Sequence, residues 1–591
     1  MLFPLVGNAQ DWKVLFSANG GFYEDVFELE LFSTYPQGRI FYTTNGNRPT
    51  TESRLYTEPL VLDTNLYSQS DIYTIVNCIP STYYLPESIE HAIVIRAAVF
   101  DENDSCVSPV TTQSYFIHTF GADFHGMPVL SIAADSTALF DYETGIFVPG
   151  INYDPLDSLS KGNYMLKGRE WERRINVEFY ETNNQGINQE CGLRMHGGAS
   201  RRFQQKGMKF YAREEYGKKR FSHRFFQSTP IDSFKHLCLH PFRCSNWWQT
   251  GGQDYLSHTV ARNLDFEALA VRETVVFING EYWGIYTLEE SPDERYLEDH
   301  YDLDLDSIVV VKYWGMPDYG DLTEWRNFYI WINSADLTQP EDSAYAYSHV
   351  DVSSLTDYLL FETFSANLDW PANNVRLWQA RPGALFRWFF YDGDGCFTWP
   401  DYPALENSFN HDVNSVVLAH FFANKGFVQG FRDRYTELLE TCFSYNYMKS
   451  ILDEYGQTVE GEIEAQSRRF NFPVNTETWH DHMASVDNFL RTRSINFDAE
   501  LYDVFYIENP ANQKEKIACY PNPTSGELHL RFQPEASGNN EIAIYDMMGR
   551  KMFSQSYYLR GEAFETTINP PLASGVYVLK INGSAQRIVK Y

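Results

Sequence analysis

Residues 367–374 read NLDWPANN and residues 391–395 read YDGDG, and these two stretches decide the fold of the middle of the chain. The sequence between them alternates as two short strands around a Pro-Gly turn, which predicts a β-hairpin. Such a hairpin delivers Asp392 and Asp394 at a strand end beside Asp369. Carboxylate and amide oxygens are the ligands that Mg²⁺ prefers, and the intervening glycines let backbone approach a metal closely. The two stretches therefore predict a divalent-metal site.

The spacing within the first stretch indicates the chemistry of such a site. Asp369 and Asn374 stand five residues apart, as in the D-x-x-x-x-N pattern of phosphoryl transfer, where the Asp accepts the hydroxyl proton and the Asn ligates a metal. A later Asp, here Asp392, holds Mg²⁺ against the phosphates. Either motif alone arises readily by chance, and Asp-Gly-Asp-Gly alone is typical of a turn. Both together, in this order, favour a site for a nucleotide with Mg²⁺ or Mn²⁺.

A basic, glycine-rich segment lies upstream and precedes a predicted strand. It spans residues 194–210 and reads RMHGGASRRFQQKGMKF. Lysine, arginine and backbone N–H groups in such a segment neutralise a triphosphate, whereas Gly-Gly before a strand is by itself most often a tight turn. The candidate phosphate-binding side chains are Arg194, Arg201, Lys206 and Lys209.

The rest of the composition is acidic, which makes a local excess of Lys and Arg informative. The 591 residues carry 79 acidic and 47 basic side chains, for a formal charge of −32. Such a surface repels nucleic-acid backbones and anionic lipid headgroups, so we expect neither as a general partner. The sequence has no apolar run of about 18 residues that would predict a transmembrane segment. Eight Cys without a C-x-x-C pair argue against a zinc ribbon or a thioredoxin-like motif.

The length predicts several domains. Residues 1–18 have the pattern of the end of a secretory signal peptide and a leader, with an ordinary ragged N-terminus as the alternative. Residues 19–117 are short strands with turn punctuation, which predicts a β-sandwich. Residues 118–508 run from strands into helices, the order of a two-lobed α+β domain. Residues 515–591 predict a further β-sandwich.

Both flanking units resemble known modules. Residues 40–62 read IFYTTNGNRPTTESRLYTEPLVL and resemble the immunoglobulin-like module beside chitobiase and hexosaminidase domains, which implies a spacer or accessory role, with glycan binding as an open alternative. The C-terminal unit carries YPNP at 520–523, IYD at 544–546 and GVYVLKI at 575–581. It resembles the C-terminal sorting domain of the type IX secretion system. That resemblance implies partnership with the secretion machinery of a Bacteroidetes-type bacterium, export across the outer membrane, and a secreted or cell-surface location.

The central region resembles the CotH kinase family. The resemblance rests on the two opening stretches, on RMHGGASRRFQQKGMKFYAREEYG at 194–217 and on VFINGEYWGIYTLEESPDERYL at 276–297. It implies an atypical protein kinase that phosphorylates Ser with ATP and a divalent metal, Mg²⁺ or Mn²⁺. The implied roles are those of catalytic carboxylate for Asp369 and of metal ligands for Asn374, Asp392 and Asp394.

The resemblance also implies a phosphate-contacting lysine. Lys206 is the first candidate and Lys209 the alternative, with Glu290 as the acid that positions the lysine; a solvated strand-end acid is the plain alternative for Glu290. The chain departs from common kinase patterns in lacking a G-x-G-x-x-G loop, and Gly207 follows Lys206 directly. The departures leave the phosphate contacts less defined than the metal site.

Alternative functions follow from other features of the sequence. His236, Cys238 and His240, with Cys244 nearby, are zinc-ligand types, but strict alternation also places the first three on one face of an ordinary strand. Our main hypothesis is a secreted atypical Ser/Thr kinase acting on envelope or extracellular proteins. The alternative is a non-catalytic exported adhesion or glycan-binding protein built on a pseudokinase. Many Trp and carboxylate side chains also suggest a glycoside hydrolase, although paired acids are common in so acidic a chain.

Overall fold

The computed structural model describes most of the chain. The described residues are 12–66, 70–119, 121, 125–183, 186–243, 250–313, 315–380, 383–409, 415–506, 518–520, 524, 526–532, 538–546, 550–559, 564–581 and 584–590. The leader pattern before residue 12, Cys244 and Gly549 lie outside these residues, as do Pro521 to Pro523 of the YPNP motif.

The N-terminal module is a β-sandwich, as predicted. The strands in its described part are β1 Val14–Phe16, β2 Gly21–Tyr23, β3 Phe27–Leu29, β4 Leu31–Ser33, β5 Arg39–Thr43, β6 Arg54–Leu55, β7 Leu60–Leu62, β8 Ile93–Phe100 and β9 Thr111–Ile117. The main sheet has the order β2-β9-β8-β5-β6, and the pairs β1-β4 and β3-β7 pack beside it. The segment between β7 and β8 contains the short 3₁₀ turns Ile72–Thr74 and Pro80–Thr82.

The first lobe of the central domain is a closed β-barrel with the strand order β10-β11-β12-β13-β16-β18-β17. Its elements are β10 Val129–Ala133, α1 Ser136–Phe140, β11 Arg173–Tyr180, β12 Gly186–His196, β13 Gly207–Tyr211, β14 Phe221–Ser222, β15 Ser233–Phe234, β16 His236–Pro241, α2 Gln253–Ala261, β17 Val271–Ile278 and β18 Glu281–Glu290. Asn279 and Gly280 both have positive φ between β17 and β18, the conformation of the tight hairpin turn that Asn-Gly predicts.

The two faces of the barrel strands differ in chemistry because side chains alternate along a strand. Leu193, Phe210 and Leu237 are buried in the interior. Their chain neighbours Arg194, Lys209 and Cys238 align across β12, β13 and β16, and Glu289 of β18 continues this row. The barrel therefore presents a polar row on the face away from its core.

The second lobe is mainly helical around one small sheet of order β20-β19-β21-β22. Its elements are α3 Glu294–Tyr301, β19 Ile308–Lys312, β20 Met316–Tyr319, α4 Thr323–Ile332, α5 Pro340–Tyr347, α6 Val352–Phe364, β21 Arg376–Ala380, β22 Arg387–Trp388, α7 Ala404–Phe409, α8 Ser415–Ala423, α9 Lys425–Leu439, α10 Tyr445–Val459, α11 Ile463–Phe470 and α12 Thr476–Tyr506. β21 and β22 form the antiparallel hairpin expected between the two opening stretches.

The C-terminal unit consists of two facing sheets, β23-β24-β27 and β26-β25-β28-β29. The strands are β23 Ala518–Tyr520, β24 Leu528–Phe532, β25 Gly538–Asp546, β26 Lys551–Leu559, β27 Phe564–Ile568, β28 Gly575–Ile581 and β29 Ser584–Lys590. Leu530, Ile544 and Leu579 lie in a core of its own. The predicted architecture of β-sandwich, two-lobed α+β domain and β-sandwich is confirmed.

The N-terminal module shares a core with the barrel. Phe116 of β9 packs against Phe277 of β17 with ring centroids 5.1 Å apart, and Phe22 lies 6.1 Å from Tyr180 of β11. The buried Glu178 carboxylate of β11 accepts hydrogen bonds from Ser114. The boundary expected between residues 117 and 118 is thus crossed by packing and hydrogen bonds. Among the described residues, no helix is both long enough and apolar enough to span a membrane.

Candidate active site

Two loops that meet at the base of the interlobe cleft carry the residues singled out by spacing. The Leu368 N–H donates to the Gly395 carbonyl at 3.2 Å, and Asn374 Nδ2 donates to the Asp392 carbonyl at 3.4 Å. A Cβ on Gly395 would lie 2.7 Å from Asn367 Oδ1 and 3.3 Å from the Asp369 nitrogen. Glycine at position 395 is therefore what allows the Asp-Gly-Asp-Gly loop to pack against the Asp369 loop.

Two candidate metal ligands have an uncommon backbone conformation. Asn374 has φ +54° and Asp392 has φ +66°, in the left-handed region that non-glycine residues adopt infrequently. Asn and Asp tolerate this region better than other side chains. Such outliers cluster at functional sites, because surrounding structure must hold them in place.

The acids at this end of the cleft stand close together. One ligand atom each of His240, Asp392 and Asp394 lie within 4.8 Å of one another, and His240 Nε2 lies 3.3 Å from Asp394 Oδ2. Burial and then the Asp394 charge raise the pKa of Asp392 to about 8. Burial and Asp394 also raise the pKa of Asp369. A cation among these oxygens would relieve the repulsion that raises both pKa values.

A second polar group lies directly behind the Asp392 loop. Asp254 Oδ1 of α2 accepts the Gly393 N–H at 2.7 Å, while its buried Oδ2 has no hydrogen-bond partner among the residues that the structure describes. His258, one helical turn on, lies 3.5 Å from Asp254 through Nε2. Burial and then the Asp254 charge raise the pKa of Glu289 well above its usual value. This group ties α2 and β18 to the loop that carries the candidate metal ligands.

Cations line other parts of the same cleft, which has a volume of about 770 Å³. These lining side chains are Lys167, Arg194, Arg201, Lys312 and Arg376. Lys312 and Arg376 stand directly opposite each other in β19 and β21, and they share the counter-ion Asp318 at 3.8 and 2.9 Å. Like charges across a strand pair are unfavourable, so this arrangement suits an anionic ligand in the cleft.

The cleft brings together most of the residues that the sequence singled out. Asp369, Asn374, Asp392 and Asp394 line one end, and Arg194 and Arg201 are also in the lining. Arg194 contacts Glu172 at 2.7 Å. Arg201 is buried and donates to the Met165 carbonyl at 2.9 Å, so it holds the glycine-rich loop as well as lining the cleft.

Lys206 does not reach the cleft, contrary to the expectation from the sequence. Its ammonium is fully buried beneath the glycine-rich loop, where it donates to the carbonyls of Arg201 (2.7 Å) and Phe203. It also lies 4.4 Å from the centroid of the Tyr164 ring. Burial lowers the pKa of Lys206 to about 7. The side chain folds back under its own loop because the chain turns before entering β13.

Glu290 is not paired with either lysine. Its carboxylate accepts the Ala270 N–H at 2.8 Å and lies 2.7 Å from His300 Nε2. Lys209 instead pairs with Asp293 at 2.6 Å. The strand alternation that directs Glu290 away from the polar row directs its neighbour Glu289 into the cleft. The acid that pairs with a candidate lysine is thus Asp293 and not Glu290.

The structure adds residues that spacing alone did not indicate. His240, Glu289, Lys312 and Arg376 line the cleft, although they come from strands far apart in sequence. His236 and His240 do flank Cys238 on a strand, but they pair separately with Asp293 (2.8 Å) and Asp394 (3.3 Å). The alternation of His236 to His240 was the available indication that His240 faces a polar site.

Comparison with known families matches three parts of the chain. Residues 18–112 match the chitobiase/beta-hexosaminidase C-terminal domain, residues 193–496 match CotH kinase protein, and residues 518–591 match the secretion system C-terminal sorting domain. All three resemblances expected from the sequence are confirmed. The sorting domain indicates export through the type IX system, interaction with its machinery, and a secreted or cell-surface location.

Solved structures give two more distant similarities. Dimeric latent PorU from Porphyromonas gingivalis is 20% identical over 13% of this chain, with a TM-score of 0.11, and the match spans only 9% of the PorU chain. The Helicobacter pylori proinflammatory kinase CtkA is 9% identical over 51% of this chain and 90% of its own, with a TM-score of 0.21.

No curated protein matches the chain. The kinase-family match, in contrast, extends from β12 to α12 and includes both loops of the cleft. Because that match covers just over half of the sequence, the chain belongs to the CotH kinase protein family.

Proposed function

We propose that the chain transfers the γ-phosphoryl group of ATP to a Ser or Thr hydroxyl of an envelope or extracellular protein. The observation that carries this proposal is the interlocking of the Asp369 and Asp392 loops, which gathers three carboxylates and an amide at one end of a cation-lined cleft. Phosphoryl transfer by a kinase needs oxygen ligands that bind a metal ion and, beside them, positive groups that neutralise the phosphates.

The donor set fits a hard divalent cation, Mg²⁺ or Mn²⁺. Asn374, Asp392 and Asp394 would hold it, since all three offer oxygen ligands, and a cation there would offset the burial and the Asp394 charge that raise the pKa of Asp392. When bound, the cation neutralises phosphate charge and aligns the triphosphate. Arg194 and Lys312 are the cleft-lining cations that we assign to the phosphates. Lys209 pairs with Asp293 and is not in the cleft lining, so its phosphate contact stays a prediction.

Asp369 is the proposed base. In the transfer step, the substrate hydroxyl oxygen forms a bond to the γ-phosphorus while the bond from that phosphorus to the bridging oxygen of ADP breaks. The hydroxyl proton passes to Asp369. Partial burial and the nearby Asp394 raise the pKa of Asp369, which strengthens it as a proton acceptor.

Transfer of labelled phosphate tests the proposal directly. The purified full-length chain with Mg²⁺ or Mn²⁺ and γ-labelled ATP should label itself or a carrier protein. Asp369→Asn and Asp392→Asn should each lower the rate at least about 100-fold, with little change in unfolding temperature because both carboxylates already suffer repulsion in the fold. Asp481→Asn, at an exposed position on α12, is the control.

Two outcomes would contradict the proposal. Undiminished transfer by both cleft variants would remove the assigned roles. A thermal shift with glycans and none with any nucleotide would instead favour the non-catalytic, glycan-binding alternative.

A further inference from the structure

Residues 70–92, which connect β7 to β8, leave the N-terminal sandwich and lie along the barrel; we call them the strap. The N–H groups of Ile72 and Tyr73 donate to the buried Glu281 carboxylate at 2.8 Å each. At the other end, the Ala92 N–H donates to the Gly280 carbonyl at 2.7 Å. Both ends of the strap are therefore fixed at the turn between β17 and β18.

The middle of the strap contacts the base of the glycine-rich loop. Asn77 Nδ2 donates to the Gln204 carbonyl at 2.9 Å, and the Ile79 N–H donates to the Arg202 carbonyl at 3.3 Å. The Gln204 side chain pairs with the backbone of Tyr84, accepting from its N–H at 3.2 Å and donating to its carbonyl at 2.9 Å. Four hydrogen bonds thus join the two segments.

These bonds are shielded from water. The side chains of Asn77 and Gln204 are only 1% and 5% exposed. A buried polar group that loses its partner carries the full cost of desolvation, so breaking one of these bonds displaces or loosens the backbone of the loop.

The glycine-rich loop, residues 197–206 between β12 and β13, has a fixed base and an apex that faces the cleft. At the base, Gln205 Nε2 donates to the Ile285 carbonyl at 2.8 Å, and Lys206 donates back to the Arg201 carbonyl at 2.7 Å. At the apex, Gly197 to Ser200 line the cleft. Backbone donors bind phosphate effectively only when they are held in position before the ligand arrives.

We propose that the strap is a positioning element of the nucleotide site, with Asn77 and Gln204 setting the geometry of the phosphate-binding loop. The N-terminal module is then a working part of the kinase domain and not a spacer. This inference rests on the proposed function, because it takes the loop apex, Gly197 to Ser200, as a further contact for the phosphates of ATP. Neither Asn77 nor Gln204 lines the cleft; both act through the loop backbone.

The test combines kinetics with hydrogen exchange on the full-length chain. Asn77→Ala should raise the KM for ATP about tenfold, the equivalent of one buried hydrogen bond, and leave kcat within about twofold. It should also speed deuterium uptake in residues 196–206. Gln204→Ala, which removes the two bonds to the Tyr84 backbone and keeps the bond from Asn77, should have the same effects.

Ser114→Ala is the matched control. Ser114 is also fully buried at the junction of module and barrel, where it donates to Glu178, but it contacts β11 and not the loop. We expect Ser114→Ala to lower the unfolding temperature with an unchanged KM and unchanged exchange in residues 196–206. If Asn77→Ala does not fold, Asn77→Asp replaces it in the same measurements, because it keeps the side-chain size and removes the Nδ2 donor to the Gln204 carbonyl.

The possible outcomes distinguish a failure of the positioning role of the strap from a failure of the proposed function. Unchanged exchange in residues 196–206 of the Asn77 and Gln204 variants overturns the positioning role, as does an equal rise in KM in Ser114→Ala. A wild-type chain that neither binds nucleotide nor transfers phosphate overturns the proposed function, and the exchange comparison, made without nucleotide, still decides whether the strap holds the loop.

Discussion

Lys206 shows how burial changes what a basic side chain can do. Its ammonium satisfies carbonyl groups under the glycine-rich loop, and burial lowers its pKa from 10.5 to about 7. Such a lysine stabilises loop geometry by donating hydrogen bonds, and it offers little positive charge to a ligand. The cations that line the cleft are instead Arg194, Lys312 and others on its walls.

The lowered pKa of Lys206 predicts a pH dependence of stability. Because the unfolded chain binds this proton more tightly than the folded chain, folding becomes more favourable as pH rises from about 7 to 10.5. Relative to Lys206→Met, the wild-type chain should therefore gain free energy of unfolding across that interval. Denaturant unfolding at several pH values measures the difference. A constant difference would contradict the prediction, and Lys218→Met, at an exposed position, is the control.

Residue chemistry and spacing were enough to single out the acids of the site. The four residues Asp369, Asn374, Asp392 and Asp394 lie within 26 residues of one another, and a hairpin joins their two stretches. Their proximity in space can therefore be predicted from local sequence. The lysine could not be chosen this way. Whether a side chain in the glycine-rich segment turns to the cleft or under the loop depends on carbonyl groups that only the folded loop provides.

At the scale of elements, loop packing decides the geometry of the site. The Asp-Gly-Asp-Gly loop lies against the Asp369 loop so closely that any side chain at position 395 would meet backbone and side-chain atoms at about 3 Å. Asn367 is buried, and hydrogen bonds hold the backbone N–H groups of Leu368 and Asp369, so these atoms cannot move freely.

Gly395→Ala should therefore displace the Asp369 loop. Overpacking of this kind costs about 1–3 kcal/mol, and we expect phosphate transfer to fall at least about tenfold because the base and the metal ligands separate. Gly430→Ala, in α9 with open space around its Cβ position, should stabilise the chain slightly. Rates and unfolding temperatures of the two variants measure the contrast. Normal activity of Gly395→Ala would show that the loop contact does not position Asp369.

Periodicity predicted the individual strands well, but it did not predict which other elements each strand face would contact. The Asn-Gly hairpin of β17 and β18 and the alternation of β16 follow from local patterns. The choice between Glu289 and Glu290 required knowing which face of β18 adjoins the cleft. That depends on the register of four barrel strands, which sequence spacing does not contain.

At the scale of the whole molecule, the three units are joined in different ways. The N-terminal sandwich shares buried aromatic residues and hydrogen bonds with the barrel, whereas the C-terminal unit has a separate core. The sequence predicted the three folds because each has its own motifs. It gave no sign of the shared core, since packing between units leaves no periodic pattern.

Truncation should expose this difference. A chain that starts at residue 118 loses Phe22 and Phe116, each worth about 1.5–3 kcal/mol of buried apolar surface, and it leaves Tyr180 and Phe277 exposed. Its unfolding temperature should fall clearly below that of the full chain. Removal of residues 515–591 should leave the main unfolding transition in place. Calorimetry on both truncated chains measures their unfolding temperatures. An equal fall in the two would contradict the conclusion that only the N-terminal module shares a core with the central domain.

The strap also bears on how such proteins diversify. Gene fusions exchange modules freely when the modules meet only at a linker, but here an exchange of the N-terminal sandwich would remove Asn77 and Tyr84 from beneath the loop. We therefore expect the two units to be inherited together. Among related chains, substitutions at Gln204 should be accompanied by changes in the strap, because the two segments are joined by the same set of hydrogen bonds.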